Sequence, residues 1–199
     1  MSYTDFDIPK VEKELGLEVV IKKIDWNFEP IAASDWLLKS LEKGEKNAFV
    51  SEKARSEFIV TPILLAAKEI SNDEFQIFSG QTLNVDANLG LTGECDFILS
   101  KTYPTPVLKS PIISLVEAKK NDIELGLGQC IAQMFAARVF NRKSDNNFKA
   151  IFGCVTTGEN WQFLKLEENN VTVDSERFYL SEVENILGVF KSIFDFYKD

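Results

Sequence analysis

A strand, a long helix and a second strand are predicted one after another between residues 112 and 155, and this pattern limits the fold more than any other feature. Residues 112–116 are apolar and rich in β-branched side chains, which is typical of a buried strand. Asn121 or Asp122 can cap a helix that extends to about Arg142, and residues 148–155 form a second apolar run. Because a helical crossover joins parallel strands, the sequence predicts a parallel pair and an α/β fold.

Two further strands are predicted before this unit, at residues 75–85 and 93–99. Three prolines between residues 104 and 111 mark a loop that leads to the strand at 112. The two strands on either side of this loop resemble a hairpin with a long connection. Such a hairpin would bring Asp96 close to Glu117.

Three more helices are predicted, at residues 35–42, at 51–70 and after Ser181. Gly44 is expected to stop the first helix, since glycine is common just beyond a helix end. Pro62 is expected to kink or interrupt the second, because proline lacks the backbone N–H that a helix interior requires.

The remaining segments predict less. Residues 1–30 indicate only an irregular arm or an edge strand, and residues 161–166 and 171–173 indicate two short strands joined by a turn. The length of 199 residues fits one domain of ordinary size, with 45% hydrophobic and 27% charged residues. No apolar run approaches the roughly 20 residues that span a bilayer, and residues 1–10 lack the features of a signal peptide. We therefore expect a cytoplasmic protein that has no membrane partner.

The chain contains no histidine and three cysteines that are far apart, Cys95, Cys130 and Cys154. An odd number of distant cysteines indicates free buried thiols, and neither a disulfide framework nor a zinc site is predicted. Without histidine, serine and cysteine nucleophiles of the histidine-activated kind are excluded, as is an imidazole base. Catalysis would have to use carboxylates, lysine and a hard metal ion.

The net charge of −9 argues against tight non-specific binding to nucleic acid, which needs a positive surface. The charge is unevenly distributed, however. Residues 101–149 contain 8 basic and 4 acidic side chains, whereas residues 1–100 contain 10 and 18 and residues 150–199 contain 4 and 9. The positive segment leaves room for a restricted contact with a nucleic acid.

The strand at 112 ends in Glu117-Ala118-Lys119. Residues i and i+2 of a strand face the same side, so Glu117 and Lys119 would project together. Two carboxylates on neighbouring strands, Glu117 and Asp96, suit Mg²⁺, which favours oxygen ligands and retains waters. Such an ion polarises a phosphate and activates water, and a nearby amine can orient that water or stabilise charge.

The order of these elements, with an acid on one strand and Glu-Ala-Lys on the next, resembles the PD-(D/E)XK nuclease superfamily. The resemblance covers about residues 50–165. It implies the restriction-endonuclease-like fold, with an αβββαβ core in which helices flank a mixed central β-sheet. Within the single domain 1–199, an N-terminal arm and helix and a C-terminal helix would be added to this core.

The resemblance also implies roles for individual residues. Asp96, Glu117 and the backbone carbonyl of Ala118 would bind Mg²⁺ or Mn²⁺, and Lys119 would serve the attacking water. Gln129, on the following helix, matches a glutamine of several branches and would support the site, and Glu57 is a further candidate ligand. Asp96 follows a cysteine where the signature has proline, at a position that varies among relatives. The implied activity is phosphodiester hydrolysis of DNA, in preference to RNA, by a deoxyribonuclease that can act as a homodimer.

Several alternatives stay open at this point. The same fold can serve as a catalytically inactive binding or assembly module in a restriction, repair or defence system, and a Glu-x-Lys triplet also occurs by chance in unrelated folds. Glu57 can equally lie on a solvated helix face, and Glu94 can either widen the acidic site or form an edge salt bridge. Gln129 and Gln133, one helical turn apart, can orient the lysine or form an exposed polar stripe. Lys120 is expected at the surface.

Overall fold

A computed structural model of the chain describes residues 1–48 and 50–198. The eight strands are β1 (Glu18–Lys22), β2 (Gln76–Thr82), β3 (Glu94–Ser100), β4 (Ile112–Ala118), β5 (Ala150–Thr156), β6 (Asn160–Glu167), β7 (Asn170–Asp174) and β8 (Phe178–Tyr179). The α-helices are α1 (Ile8–Leu15), α2 (Asp35–Ala48), α3 (Glu52–Arg55), α4 (Thr61–Ile70), α5 (Glu124–Arg142) and α6 (Val183–Asp195). Short 3₁₀ turns precede α1 and α6, at Tyr3–Asp5 and Leu180–Glu182.

All eight strands belong to one mixed sheet, in the order β1-β7-β6-β5-β4-β3-β2, with β8 paired to β6. β2, β3 and β4 are antiparallel neighbours, and β4 and β5 are parallel neighbours joined by α5. The predicted hairpin and the predicted parallel crossover are therefore confirmed, and the chain is of the mixed α/β class. β4 lies inside the sheet, and all seven of its residues are buried.

The two faces of the sheet are covered by different helices. One hydrophobic cluster joins α1 and α5 to the sheet, and a second joins α2, α4 and α6 to it. On β5, Phe152 and Cys154 belong to the second cluster, whereas Ile151 and Val155 belong to the first, as expected for side chains that alternate between faces. Of the helices in the described part of the chain, none combines the length and apolar character of a bilayer span.

Helix α2 continues to Ala48, so the prediction that Gly44 stops it is wrong. A Cβ atom at this position would lie 2.3 Å from the carbonyl oxygen of Phe58. Gly44 is therefore required for the close approach of two segments, which the local sequence does not reveal.

The first 30 residues are more ordered than predicted. β1 is an edge strand parallel to β7, and an edge strand is one of the two structures predicted for residues 1–30. Helix α1 was not predicted. The side chain of Asp7 accepts a hydrogen bond from the backbone N–H of Lys10 at the start of α1, and Gly16 ends the helix with a φ of 64°. The buried side chains of α1, Val11 and Leu15, pack in the cluster formed with α5.

The predicted interruption of the helix at 51–70 is confirmed. α3 is followed by a π-helical turn at Ser56–Val60 and then by α4, which has Pro62 in its first turn. The hydroxyl of Thr61 donates to the carbonyl of Ser56 at 2.8 Å and so supports the wider turn.

Candidate active site

Glu117 and Lys119 lie at the end of β4, as the sequence predicts. Glu117 is paired with Val155 of β5, and the backbone N–H of Lys119 donates to the carbonyl of Thr156 at 2.8 Å. The ladder to β5 therefore continues one residue beyond β4. The backbone of both site residues is fixed by a central strand pair.

Asp96 of β3 is brought to the same place. The register between β3 and β4 ends at the pair of Phe97 and Val116, and Asp96 and Glu117 are the next residues along the two strands. The carboxylate of Asp96 accepts a hydrogen bond of 2.7 Å from the backbone N–H of Ala118. This bond ties the first acid to the middle of the Glu-Ala-Lys triplet.

Strict alternation along β3 fails at Asp96. Cys95 packs in the cluster formed with α5, whereas Phe97 packs in the opposite cluster, although residues i and i+2 of a regular strand share one face. Gly80, the residue of β2 that faces Asp96 in this register, has a φ of 61°. The local backbone departs from regular strand geometry at the candidate ligand.

The side chain of Lys119 is held by two acceptors. Its Nζ donates to Oε1 of Glu117 at 2.7 Å and to Oε1 of Gln129 at 3.0 Å. Gln133, one turn further along α5, donates through Nε2 to the other oxygen of Glu117 at 2.9 Å. The two glutamines are therefore buried and do not form an exposed polar stripe. They join the helix to the acid and the lysine.

Gly126 creates the space for this arrangement at the start of α5. A Cβ atom at Gly126 would lie 2.6 Å from Cγ1 of Val155 and 3.1 Å from both Cγ and Cε of Lys119. Any larger residue would push the helix away from the lysine. Gly126 therefore serves the close packing of α5 against β5 and Lys119.

Burial and neighbouring charges shift the pKa values of the three ionisable groups. Glu117 is only 2% exposed, and its pKa is raised to about 7 by burial and by the charge of Asp96, against the opposing effect of Lys119. Burial also raises the pKa of Asp96, although the hydrogen bond from Ala118 acts in the opposite direction. Burial disfavours the charged form of Lys119, but the charge and hydrogen bond of Glu117 outweigh it and the pKa of Lys119 is raised. The ammonium group therefore stays protonated.

A cavity of about 370 Å³ opens beside Asp96. Four carboxylates line it, from Glu52, Glu57, Glu94 and Asp96, together with Lys53. Glu57 therefore lines the cavity. Its side chain is nevertheless 55% exposed, and its carboxylate lies 3.9 Å from Nζ of Lys53. Glu94 forms no ion pair with any described residue, so its carboxylate contributes to the acidic cavity.

The donor set fits a hard divalent cation. Asp96 and Glu117 offer carboxylate oxygens from neighbouring strands, and the Ala118 carbonyl belongs to the same short segment. Within residues 1–48 and 50–198, no three acidic or cysteine side chains are placed to hold an ion by themselves. A site of two carboxylates and one backbone oxygen leaves positions for water and a substrate phosphate, which is the usual composition of a Mg²⁺ site.

Two more residues contribute to the site: Gln133, whose role the sequence left open, and Glu52, which the sequence did not single out. Gln133 holds Glu117, and its spacing of four residues from Gln129 was the available signal. Glu52 raises the pKa of Asp96 through its charge, and nothing in the local sequence distinguishes it from a surface acid. Lys120 is exposed, as predicted.

No protein-family model matches the chain. No curated protein matches it significantly either.

Proposed function

We propose that this protein is a metal-dependent nuclease that hydrolyses phosphodiester bonds in nucleic acid, DNA in preference to RNA. The observation that carries the proposal is the position of Lys119, whose ammonium group lies between Glu117 and Gln129 at the end of a central strand. Asp96, on the neighbouring strand, accepts a hydrogen bond from the backbone N–H of Ala118. The two acids and the lysine are thus brought together by the fold, as a restriction-endonuclease-like site requires.

Asp96, Glu117 and the Ala118 carbonyl would hold Mg²⁺ or Mn²⁺, with Glu57 as a further ligand reached through the cavity. The bound ion supplies Lewis-acid polarisation of the phosphate and activation of water. The preference for DNA follows from the resemblance to the PD-(D/E)XK superfamily.

The roles of the surrounding side chains follow from their contacts. Lys119 remains charged among acids, so it acts as a hydrogen-bond donor that orients water or stabilises charge on the phosphate, and not as a base. Gln129 accepts from Lys119 and limits where its ammonium group can lie. Gln133 fixes the second oxygen of Glu117. Both glutamines are positioning residues.

Cleavage assays with a matched pair of lysine variants test the proposal. Purified protein is incubated with supercoiled, linear and single-stranded DNA and with RNA in the presence of Mn²⁺. Lys119→Ala is expected to lower the cleavage rate by roughly 100-fold or more, the usual effect of removing a group that stabilises developing charge. Lys120→Ala removes the same charge from the adjacent exposed position and should leave the rate unchanged. Equal rates for Lys119→Ala and the wild type would refute the role given to the lysine.

Metal binding is tested separately by calorimetry with Mn²⁺. The wild type should bind the ion, and Asp96→Asn should bind it at least 10-fold more weakly because a charged ligand is lost. Absence of binding to the wild type would rule out the proposed site. Light scattering on the same samples tests whether the protein forms the homodimer that cutting of both strands would favour.

The second candidate function is a catalytically inactive module of the same fold, for binding or assembly. The acidic lining of the cavity beside Asp96 favours it, because four carboxylates and one lysine repel a phosphate backbone. Mn²⁺ binding without cleavage of any of the four substrates would support this function over the nuclease. Cleavage that requires Lys119 would exclude it.

A further inference from the structure

A second polar pocket lies at the other end of α5 from the candidate active site. It has a volume of about 40 Å³. Two arginines, three asparagines and an apolar wall contribute to its lining: Arg138, Arg142, Asn141, Asn146, Asn147, Phe148 and Ile151. Arg138 follows Gln129 by nine residues, which corresponds to about 14 Å along the helix axis at roughly 1.5 Å per residue. The pocket is therefore separate from the carboxylate site.

Arg138 is the unusual member of this pocket. Its side chain is only 8% exposed, and its Nε and Nη1 atoms are buried without a hydrogen-bond partner in the described part of the chain. The guanidinium group lies over the ring of Phe135, with 4.7 Å between its central carbon and the ring centroid. That contact favours a cation but provides no acceptor in the plane of the guanidinium N–H groups.

The positive charge in the pocket is not balanced. Arg142 lies one turn beyond Arg138, and neither arginine forms an ion pair with a described residue. Among the described residues, none that lines the pocket carries a carboxylate. Burial and the charge of Arg142 both lower the pKa of Arg138, as expected for a guanidinium that lacks a counter-ion.

A purely structural role for the arginines explains only part of this arrangement. Arg142 lies in the last turn of α5, where the helix dipole favours a cation. The dipole does not give the buried N–H groups of Arg138 an acceptor. An unpaired buried donor is normally satisfied by protein, water or a bound ligand.

We propose that this pocket binds a phosphate-type oxyanion, with Arg138 as its main ligand and Arg142 and Asn147 at its rim. Guanidinium groups pair with phosphate oxygens through parallel N–H donors. The volume has room for roughly three waters, by the usual minimum of about 10–15 Å³ for each, or for one small tetrahedral anion. Water would satisfy the N–H groups but would leave two positive charges uncompensated. The anion is either free or part of a nucleic-acid strand, and this inference does not rest on the proposed hydrolysis.

Thermal unfolding in phosphate tests the pocket without any activity assay. Sodium phosphate is titrated at constant ionic strength, with sodium chloride as the reference. At about ten times the dissociation constant, phosphate should raise the Tm of the wild type by roughly 4 °C. Arg138→Met should show no such rise, and its Tm without phosphate should equal or exceed that of the wild type because an unpaired buried charge is removed.

A second variant keeps the test decisive if Arg138→Met does not fold. Arg142→Gln changes an exposed residue, so folding is retained, and it should bind phosphate about tenfold more weakly through loss of one charged donor. Lys149→Gln removes the same charge from an exposed position outside the pocket and should respond to phosphate like the wild type. The proposal is overturned if phosphate gives the wild type no more stability than chloride, or if the arginine variants respond as the wild type does.

A second measurement identifies the source of the anion. Fluorescence anisotropy of a labelled single-stranded oligonucleotide is recorded in the presence of a chelator, so that cleavage does not occur. At least fivefold weaker binding by Arg142→Gln than by Lys149→Gln would place a strand phosphate in the pocket. Equal binding by the two variants, together with a phosphate-dependent Tm in the wild type, would indicate a free oxyanion.

Discussion

The metal-free protein should lose stability as the pH rises from about 5 to about 8. Between these values few groups titrate in this chain, because it contains no histidine. Glu117 is the exception, since burial and the charge of Asp96 raise its pKa from 4.5 to about 7. A change of stability in this window therefore reports on the carboxylate pair.

The direction follows from proton binding. At a pH between the unfolded pKa of 4.5 and the folded pKa of about 7, Glu117 retains its proton in the folded protein and has released it in the unfolded chain. The folded state then binds more protons, so the free energy of unfolding decreases as the pH rises. With about 1.4 kcal/mol for each pKa unit, the shift of Glu117 corresponds to a loss of about 3 kcal/mol, complete once the pH exceeds the folded pKa.

Urea unfolding at several pH values, in the presence of a chelator, measures this loss. Glu117→Gln is the matched variant, because its amide keeps the shape of the side chain but cannot titrate. The free energy of unfolding of this variant should be nearly constant over the same window. A wild-type stability that stays constant or increases between about pH 5 and about pH 8 would refute the inference that Glu117 has a raised pKa in the folded protein.

Two further predictions concern packing around α5 and are measured by urea unfolding. Gly128→Ala would place a Cβ atom 2.4 Å from the carbonyl oxygen of Phe6. Because this neighbour is backbone, we expect an overpacking cost at the upper end of the usual range, about 2–3 kcal/mol, against a gain of about 1 kcal/mol in helix propensity. The net loss should be about 1–2 kcal/mol, and an unchanged or increased stability would contradict this contact. Asn141→Ala should cost about 2–4 kcal/mol, because the amide of Asn141 satisfies both the N–H and the carbonyl of Ile112 at 2.7 and 2.6 Å; a loss under about 1 kcal/mol would mean that other groups or water replace these bonds.

The elements that carry the site were predicted because their own sequences are sufficient to define them. β4 and β5 are continuous apolar runs, and α5 has a long apolar stripe. Helix α1 was missed because it has only eight residues and contains Pro9, so most of its support comes from packing on α5. The end predicted for α2 was wrong for a similar reason. Gly44 does not end the helix but allows close contact with the distant segment at Phe58.

Only those parts of the site that follow from strand geometry could be predicted from the sequence. Alternation places Glu117 and Lys119 together, and the hairpin brings Asp96 to them, whereas the contacts of Gln133 and the charge of Glu52 depend on tertiary structure. Arg138 is a stronger example. In the sequence it is one of two arginines a helical turn apart, which usually indicates a solvated face, and only the fold shows that its guanidinium group is buried without an acceptor.

A structural salt bridge is a poor explanation for the acids at the end of β4. A bridge between Lys119 and one carboxylate would need a single acid, but the fold brings Asp96 close to Glu117, and the charge of the first raises the pKa of the second. One ammonium group cannot neutralise two carboxylates, of which Glu117 is buried and Asp96 half-buried, so the pair destabilises the folded protein at neutral pH. A divalent cation would neutralise both charges and recover the lost stability. Addition of Mn²⁺ at about pH 8 should therefore restore the wild type toward its stability at about pH 5, and should have a much smaller effect on Glu117→Gln.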